Sequence, residues 1–105
     1  MEKQMAAYTL ENGEELSKKY PSHFTIPPRK EREALPPGKI VNMIFDNGLC
    51  GERIWVTVKS RTASGYLGVL NNKPVLGNLQ AGDEIHFGPE HIIHIEQAET
   101  KSSAI

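Results

Sequence analysis

Two stretches in the middle of the chain alternate apolar with polar side chains around a turn dipeptide, and this constrains the fold more than anything else in the sequence. Val41, Met43 and Phe45 fall on one side of an extended segment, with Asn42 and Asp46 on the other. Ile54, Val56 and Val58 repeat the pattern over residues 53 to 59, which sends Arg53, Trp55 and Thr57 to the opposite face. Asn47-Gly48 between the stretches suits a tight hairpin turn. A period of two places no continuous stripe on a helix, so the chain from residue 39 onward is read as β. Ser64-Gly65 then turns into a strand over 66 to 70, and Asn71-Asn72 turns again. Pro74 restricts the next segment to an edge strand or an irregular crossing. Further strands over 84 to 87 and 92 to 95 flank Gly88-Pro89.

Before residue 39 the signals are helical and interrupted by proline. Asn12 with Glu15 three residues later forms a capping-box-like start, after which Leu16 and Tyr20 share one face until Pro21. Ile26 is pushed into extended geometry by the proline after it, and Pro28 suits the first position of a short helix running to Leu35. Pro36-Pro37-Gly38 ends that helix. The pattern L-x-x-G-x-x-[VI]-x-[MF] occurs twice, from Leu35 to Met43 and from Leu79 to Phe87. It predicts two similar turns leading into strands rather than a duplicated domain.

These readings give an α+β class: short N-terminal helices followed by a small antiparallel sheet of four to five strands, strongly bent or closed as an SH3-like barrel. A chain of 105 residues has room for one domain. Its expected extent is residues 1 to 96, with a helical arm over 1 to 37, a β part over 39 to 96 and a frayed tail over 97 to 105.

A net charge of -1 gives no overall attraction to nucleic acid or to an anionic membrane. Basic residues concentrate between 18 and 39 and carboxylates between 80 and 99, and the plain expectation is that these stretches attract each other across the fold. A single cysteine cannot form an internal disulfide, which points to a reducing, cytoplasmic setting. Residues 1 to 25 contain four glutamates and no unbroken apolar run, so neither a signal peptide nor a membrane span is expected.

Trp55 is the residue with most to say about function. Burying a large aromatic side chain is worth roughly 2 to 3 kcal/mol, so an indole on the polar face of a sheet calls for a cover. Packing by the N-terminal arm through Leu16, Tyr20 or Phe24 is the more economical cover. The functional alternative is a ligand or partner surface made of Trp55, Arg53, Thr57 and Tyr66, since Trp, Tyr and Arg dominate binding hot spots. His86, His91 and His94 with Glu90 or Glu96 suggest a metal site, but residues three apart on a strand face opposite sides, so no metal is expected. Cys50 has no neighbouring group in sequence to activate it and is read as a bystander. None of the common catalytic or phosphate-cradling motifs is present, and no catalytic residues, metal or other cofactor are expected.

Five segments together resemble the YegJ-like family of small bacterial domains of unknown function. They are Phe24-Thr25-Ile26-Pro27, the L-x-x-G approach to the first strand, Gly51-Glu52-Arg53-Ile54-Trp55-Val56, the turn from Leu70 to Pro74, and Ala81-Gly82-Asp83-Glu84-Ile85-His86-Phe87. The likeness spans residues 12 to 95. It implies a free-standing domain and makes Trp55 and its neighbours a shared feature, either a contact surface or equally a shared packing solution, but it implies no activity. The expectation for function is a non-enzymatic cytoplasmic module whose partner is another protein. A single-stranded nucleic-acid binder, with Trp55 and Tyr66 stacking on bases and Arg53, Lys59 and Arg61 on phosphates, is the first alternative. A protein on the scale of toxin-immunity proteins is the second, and a metal or thiol enzyme ranks last.

Overall fold

The alternating stretches pair with each other as the turn between them requires. In the computed structural model, which describes residues 9–46, 51–74 and 79–96, β2 (Ile40–Asp46) lies antiparallel to β3 (Gly51–Thr62) with Met43 opposite Ile54. The Asn47-Gly48 turn lies outside the described residues. β4 (Gly65–Leu70) pairs with the second half of β3, and β5 (Glu84–Phe87) pairs with β4. Two short segments complete the other edge: β1 (Thr9–Leu10) pairs with one end of β2 and β6 (His94–Ile95) with the other. The result is an antiparallel sheet curled into a half-barrel, with the helices at its side: an α+β fold with a bent sheet. Among the described residues no helix is long and apolar enough to cross a membrane.

The inner face of the curl holds the core. Val41, Met43, Phe45, Ile54, Val56, Tyr66, Leu70, Ile85 and Ile92 are each no more than 1% exposed. At roughly 1.5 to 3 kcal/mol for each large apolar side chain buried, this cluster is the main favourable contribution to folding. Gly68 sits where any Cβ would lie 2.4 Å from Val56 and 2.9 Å from the Phe87 ring, so glycine lets those two side chains close over β4.

The repeated L-x-x-G pattern is a repeated structure. Gly38 and Gly82 adopt φ of 94° and 95°, each as third residue of a turn closed by Lys39 N–H to Pro36 O and Asp83 N–H to Gln80 O. Each turn docks on a strand through the same two hydrogen bonds. Gly38 N–H donates to Val58 O while Val58 N–H donates to Lys39 O; Gly82 N–H donates to Leu70 O while Leu70 N–H donates to Asp83 O. These matches superpose β2 on β5 and β3 on β4, and the β3–β4 register, Val56 opposite Leu70 and Val58 opposite Gly68, is unchanged by the exchange. A local two-fold therefore runs through the Thr57 and Val69 pair.

The helical elements are shorter than the sequence suggests and are held by a charged knot. α1 (Gly13–Lys19) starts as expected, with the Asn12 side chain accepting the Glu15 N–H at 3.0 Å. α2 (Arg29–Arg32) is one turn. Arg32, only 4% exposed, donates to Pro27 O at 2.8 Å, Pro89 O at 2.9 Å and the Glu14 carboxylate at 2.8 Å. Arg29 also pairs with Glu14, and with Glu33 one turn on. Burying a guanidinium is tolerable only when its donors are satisfied in this way. The expected attraction between the basic stretch and the acidic stretch takes a different form: Arg29 and Arg32 find Glu14 and Glu33, Arg32 reaches residue 89 through its carbonyl, and Glu84 pairs with Lys59.

Candidate functional site

The outer face of the sheet carries a cleft of about 520 Å³ where β3, β2 and β6 meet the segment after α1. Its geometry is set by three register rows across the strands. In the middle row Trp55, Asn42 and His94 stand side by side, because Asn42 is the Cα partner of both. Arg53 lies one row toward the far end of β2, opposite Ile44. Glu96 lies one row the other way, its N–H donating to Ile40 O. At about 3.3 to 3.4 Å per residue the rows are about 6.7 Å apart along the strands, and β3 and β6 lie about 9.6 Å apart on either side of β2, so Arg53 and Glu96 flank the indole at opposite ends of a diagonal about 16 to 17 Å long.

The middle row is built as a floor with two walls. Asn42 is 3% exposed, and its Nδ2 donates to Ile54 O at 3.0 Å, which fixes the amide under the aromatic rings. The Trp55 and His94 rings meet edge to face at 6.1 Å and 81°. Trp55 stays half-buried. Phe24 reaches the same cleft from the segment after α1, and the Arg53 guanidinium lies over its ring at 5.8 Å from the centroid. Arg53 also approaches Asn42 Oδ1 at 3.5 Å, a long contact. Among the described residues neither Arg53 nor Glu96 forms an ion pair.

Of the N-terminal arm, Phe24 supplies part of the cover expected for Trp55. Phe24 lines the cleft without sealing it, whereas Tyr20 is outside the lining and 49% exposed. The segment beginning at Phe24 and the one carrying Arg53 and Trp55 come together here although about thirty residues separate them.

Tyr66 does not belong to this surface, which corrects the expectation from sequence. It is 1% exposed on the inner face, stacked on Phe87 at 5.4 Å. Its hydroxyl donates to Arg32 O at 2.8 Å and accepts the Leu35 N–H at 3.2 Å, which ties the end of α2 to the core. The sequence Gly65-Tyr-Leu-Gly-Val-Leu70 has apolar residues on both faces of β4, so its alternation does not choose a side. Pairing with β5 makes the choice, by placing Tyr66 opposite Phe87.

Thr57 does face outward, but its hydroxyl is committed to Asn71 Oδ1 at 2.7 Å and it lies outside the cleft lining. The register of β3 slips between Val58 and Ser60, and one extra residue turns the following side chains over. Arg61 consequently sits over the Tyr66 ring at 5.4 Å and donates to Glu33 O, on the other side of the sheet from Arg53. Lys59 is paired with Glu84. The residues required by the nucleic-acid reading are therefore dispersed.

Among the described residues no three His, Cys, Asp or Glu side chains gather closely enough to hold a metal ion. His91 accepts the Gly88 N–H on Nδ1 at 2.9 Å inside a 3-10 turn, Pro89–His91, and burial lowers its pKa below the ordinary value. His94 faces the cleft instead. Cys50 lies outside the described residues.

Sequence reasoning identified Arg53 and Trp55 and named Phe24 as a cover for the indole, but missed Asn42, His94 and Glu96 as parts of this site. Asn42 was visible as a polar residue between apolar neighbours. Its pairing with β6 depended on a long-range contact that no local pattern announces. Comparison with family models, curated proteins and solved structures returns no significant match, so a functional reading rests on this geometry.

Proposed function

We propose that the protein is a non-enzymatic interaction module, working in the cytoplasm, that docks another protein on the outer-face cleft around Trp55. The observation that carries this reading is an indole left half-buried over an ordered polar floor, beside a guanidinium that no described carboxylate neutralises. Trp and Arg together are the side chains most enriched among residues that dominate binding energy. The cleft offers ring faces, one cation and one anion, which suits recognition. The dispersal of Tyr66, Lys59 and Arg61 weighs against the nucleic-acid alternative.

The test is affinity capture from native extract with wild type and Trp55→Ala at matched thermal stability. Loss of specific partners with the variant supports the proposal. Equal recovery by both proteins, or no recovery by either, refutes it.

A further inference from the structure

Building on that reading, we infer that the cleft receives an extended peptide segment of another protein carrying an acidic residue, an apolar or aromatic residue and a basic residue at alternate positions. The argument begins with pitch. Arg53 and Trp55 project from one strand two residues apart, and Glu96 stands in the next row beyond Trp55 and His94. Residues i, i+2 and i+4 of an extended peptide project to one side with the same spacing, about 6.7 Å per step. A peptide laid obliquely across β2 would present three side chains to the three rows, the Arg53 and Glu96 side chains reaching inward over the few ångströms by which the diagonal exceeds its about 13 Å span.

Chemistry assigns each row its complement. The Arg53 fork, held over Phe24 and free of a described carboxylate partner, suits a carboxylate. The middle row, with Trp55 and His94 edge to face above Asn42, suits a flat or branched apolar side chain. Glu96, at the other end and likewise without a described cationic partner, suits a Lys or Arg. The opposite charges at the two ends distinguish this surface from a phosphate-tracking groove, which needs one sign throughout.

Trp55 is the sole tryptophan, so its fluorescence reports directly on occupation of the middle row. The probes are acetyl-Gly-Asp-Ser-Phe-Ser-Lys-Gly-amide, its reverse-order counterpart, the neutral Asn/Gln analogue, and the like-charged peptide with Lys at both outer positions. Two exposed ion pairs, each giving up to about fivefold, predict that the acid-base peptide in at least one order binds about tenfold more tightly than the neutral analogue. Arg53→Glu should reverse the preference, so that the doubly basic peptide becomes the tighter ligand. A short oligothymidylate serves as the nucleic-acid arm.

Equal affinity for charged and neutral peptides, no change in Trp55 fluorescence with any peptide, or an unreversed preference in Arg53→Glu overturns the inference. So does salt-sensitive quenching by the oligothymidylate alone. If the peptides fail while partner recovery still depends on Trp55, the charge pattern falls and the interaction reading stands; if both fail, both fall.

Discussion

Replacing Tyr66 by Phe isolates the role assigned to this residue, because it removes one oxygen and leaves the ring. In the folded protein that oxygen donates to Arg32 O and accepts the Leu35 N–H, and Tyr66 is 1% exposed. The carbonyl of Arg32 loses its donor. The Leu35 N–H is left without an acceptor in a place that water reaches poorly. Leaving a buried donor unsatisfied costs about 1 to 3 kcal/mol, and the stacking on Phe87 is retained, so a net loss of about 2 kcal/mol is expected. For a domain near this size each kcal/mol lowers Tm by roughly 4 to 8 °C, which places the shift at about 8 to 16 °C. Urea unfolding should show a lower midpoint with an unchanged slope, since the surface exposed on unfolding is nearly the same. Trp55 fluorescence in the folded variant should match wild type, because the two side chains lie on opposite faces. A Tm within about 2 °C of wild type, or a changed Trp55 emission at equal foldedness, would refute the assignment of Tyr66 to the core.

The same structure sets three further outcomes. Arg32→Met should destabilise by roughly 3 kcal/mol in denaturant unfolding, because two carbonyls and the Glu14 carboxylate lose a shared buried donor. Hydrogen bonds from Arg32 hold the Glu14 carboxyl below its ordinary 4.5, so its contribution is full above about pH 4.5 and is lost as pH falls through the lowered folded value. Arg32→Met should flatten that acid loss. His91, lowered by burial below 6.5, adds a second loss as pH falls from 6.5 toward its folded value, and a stability profile across pH 2 to 8 should show both. Gly38→Ala and Gly82→Ala should each cost about 1 kcal/mol, because both residues hold positive φ with open space where the Cβ would go; unequal effects in thermal melts would contradict the equivalence of the two turns.

The elements that local chemistry specifies were legible. Asn12 and Glu15 marked the start of α1, alternation marked the facing of β2 and of the first half of β3, and the L-x-x-G repeat marked two turns that prove equivalent in hydrogen bonding. The features that escaped detection depend on contacts between distant segments. Nothing around Lys59 announces the register slip in β3, yet that slip moves Arg61 from the Trp55 face to the Tyr66 ring. The buried placement of Arg32 could not be read from Arg29-Lys-Glu-Arg32, since only its approach to Pro89 and Glu14 makes burial tolerable. For the site, one strand's pattern was sufficient to find Arg53 and Trp55. Finding His94 and Glu96 required knowing that β6 returns to pair with β2.

Collisional quenching of the single indole tests the central claim most directly. A half-buried Trp55 in an open cleft beside Arg53 predicts solvent-shifted emission, quenching by acrylamide, and quenching by iodide that weakens in Arg53→Gln as the attracting charge is removed. Blue-shifted emission that neither quencher reaches would place the ring inside the core and contradict the account.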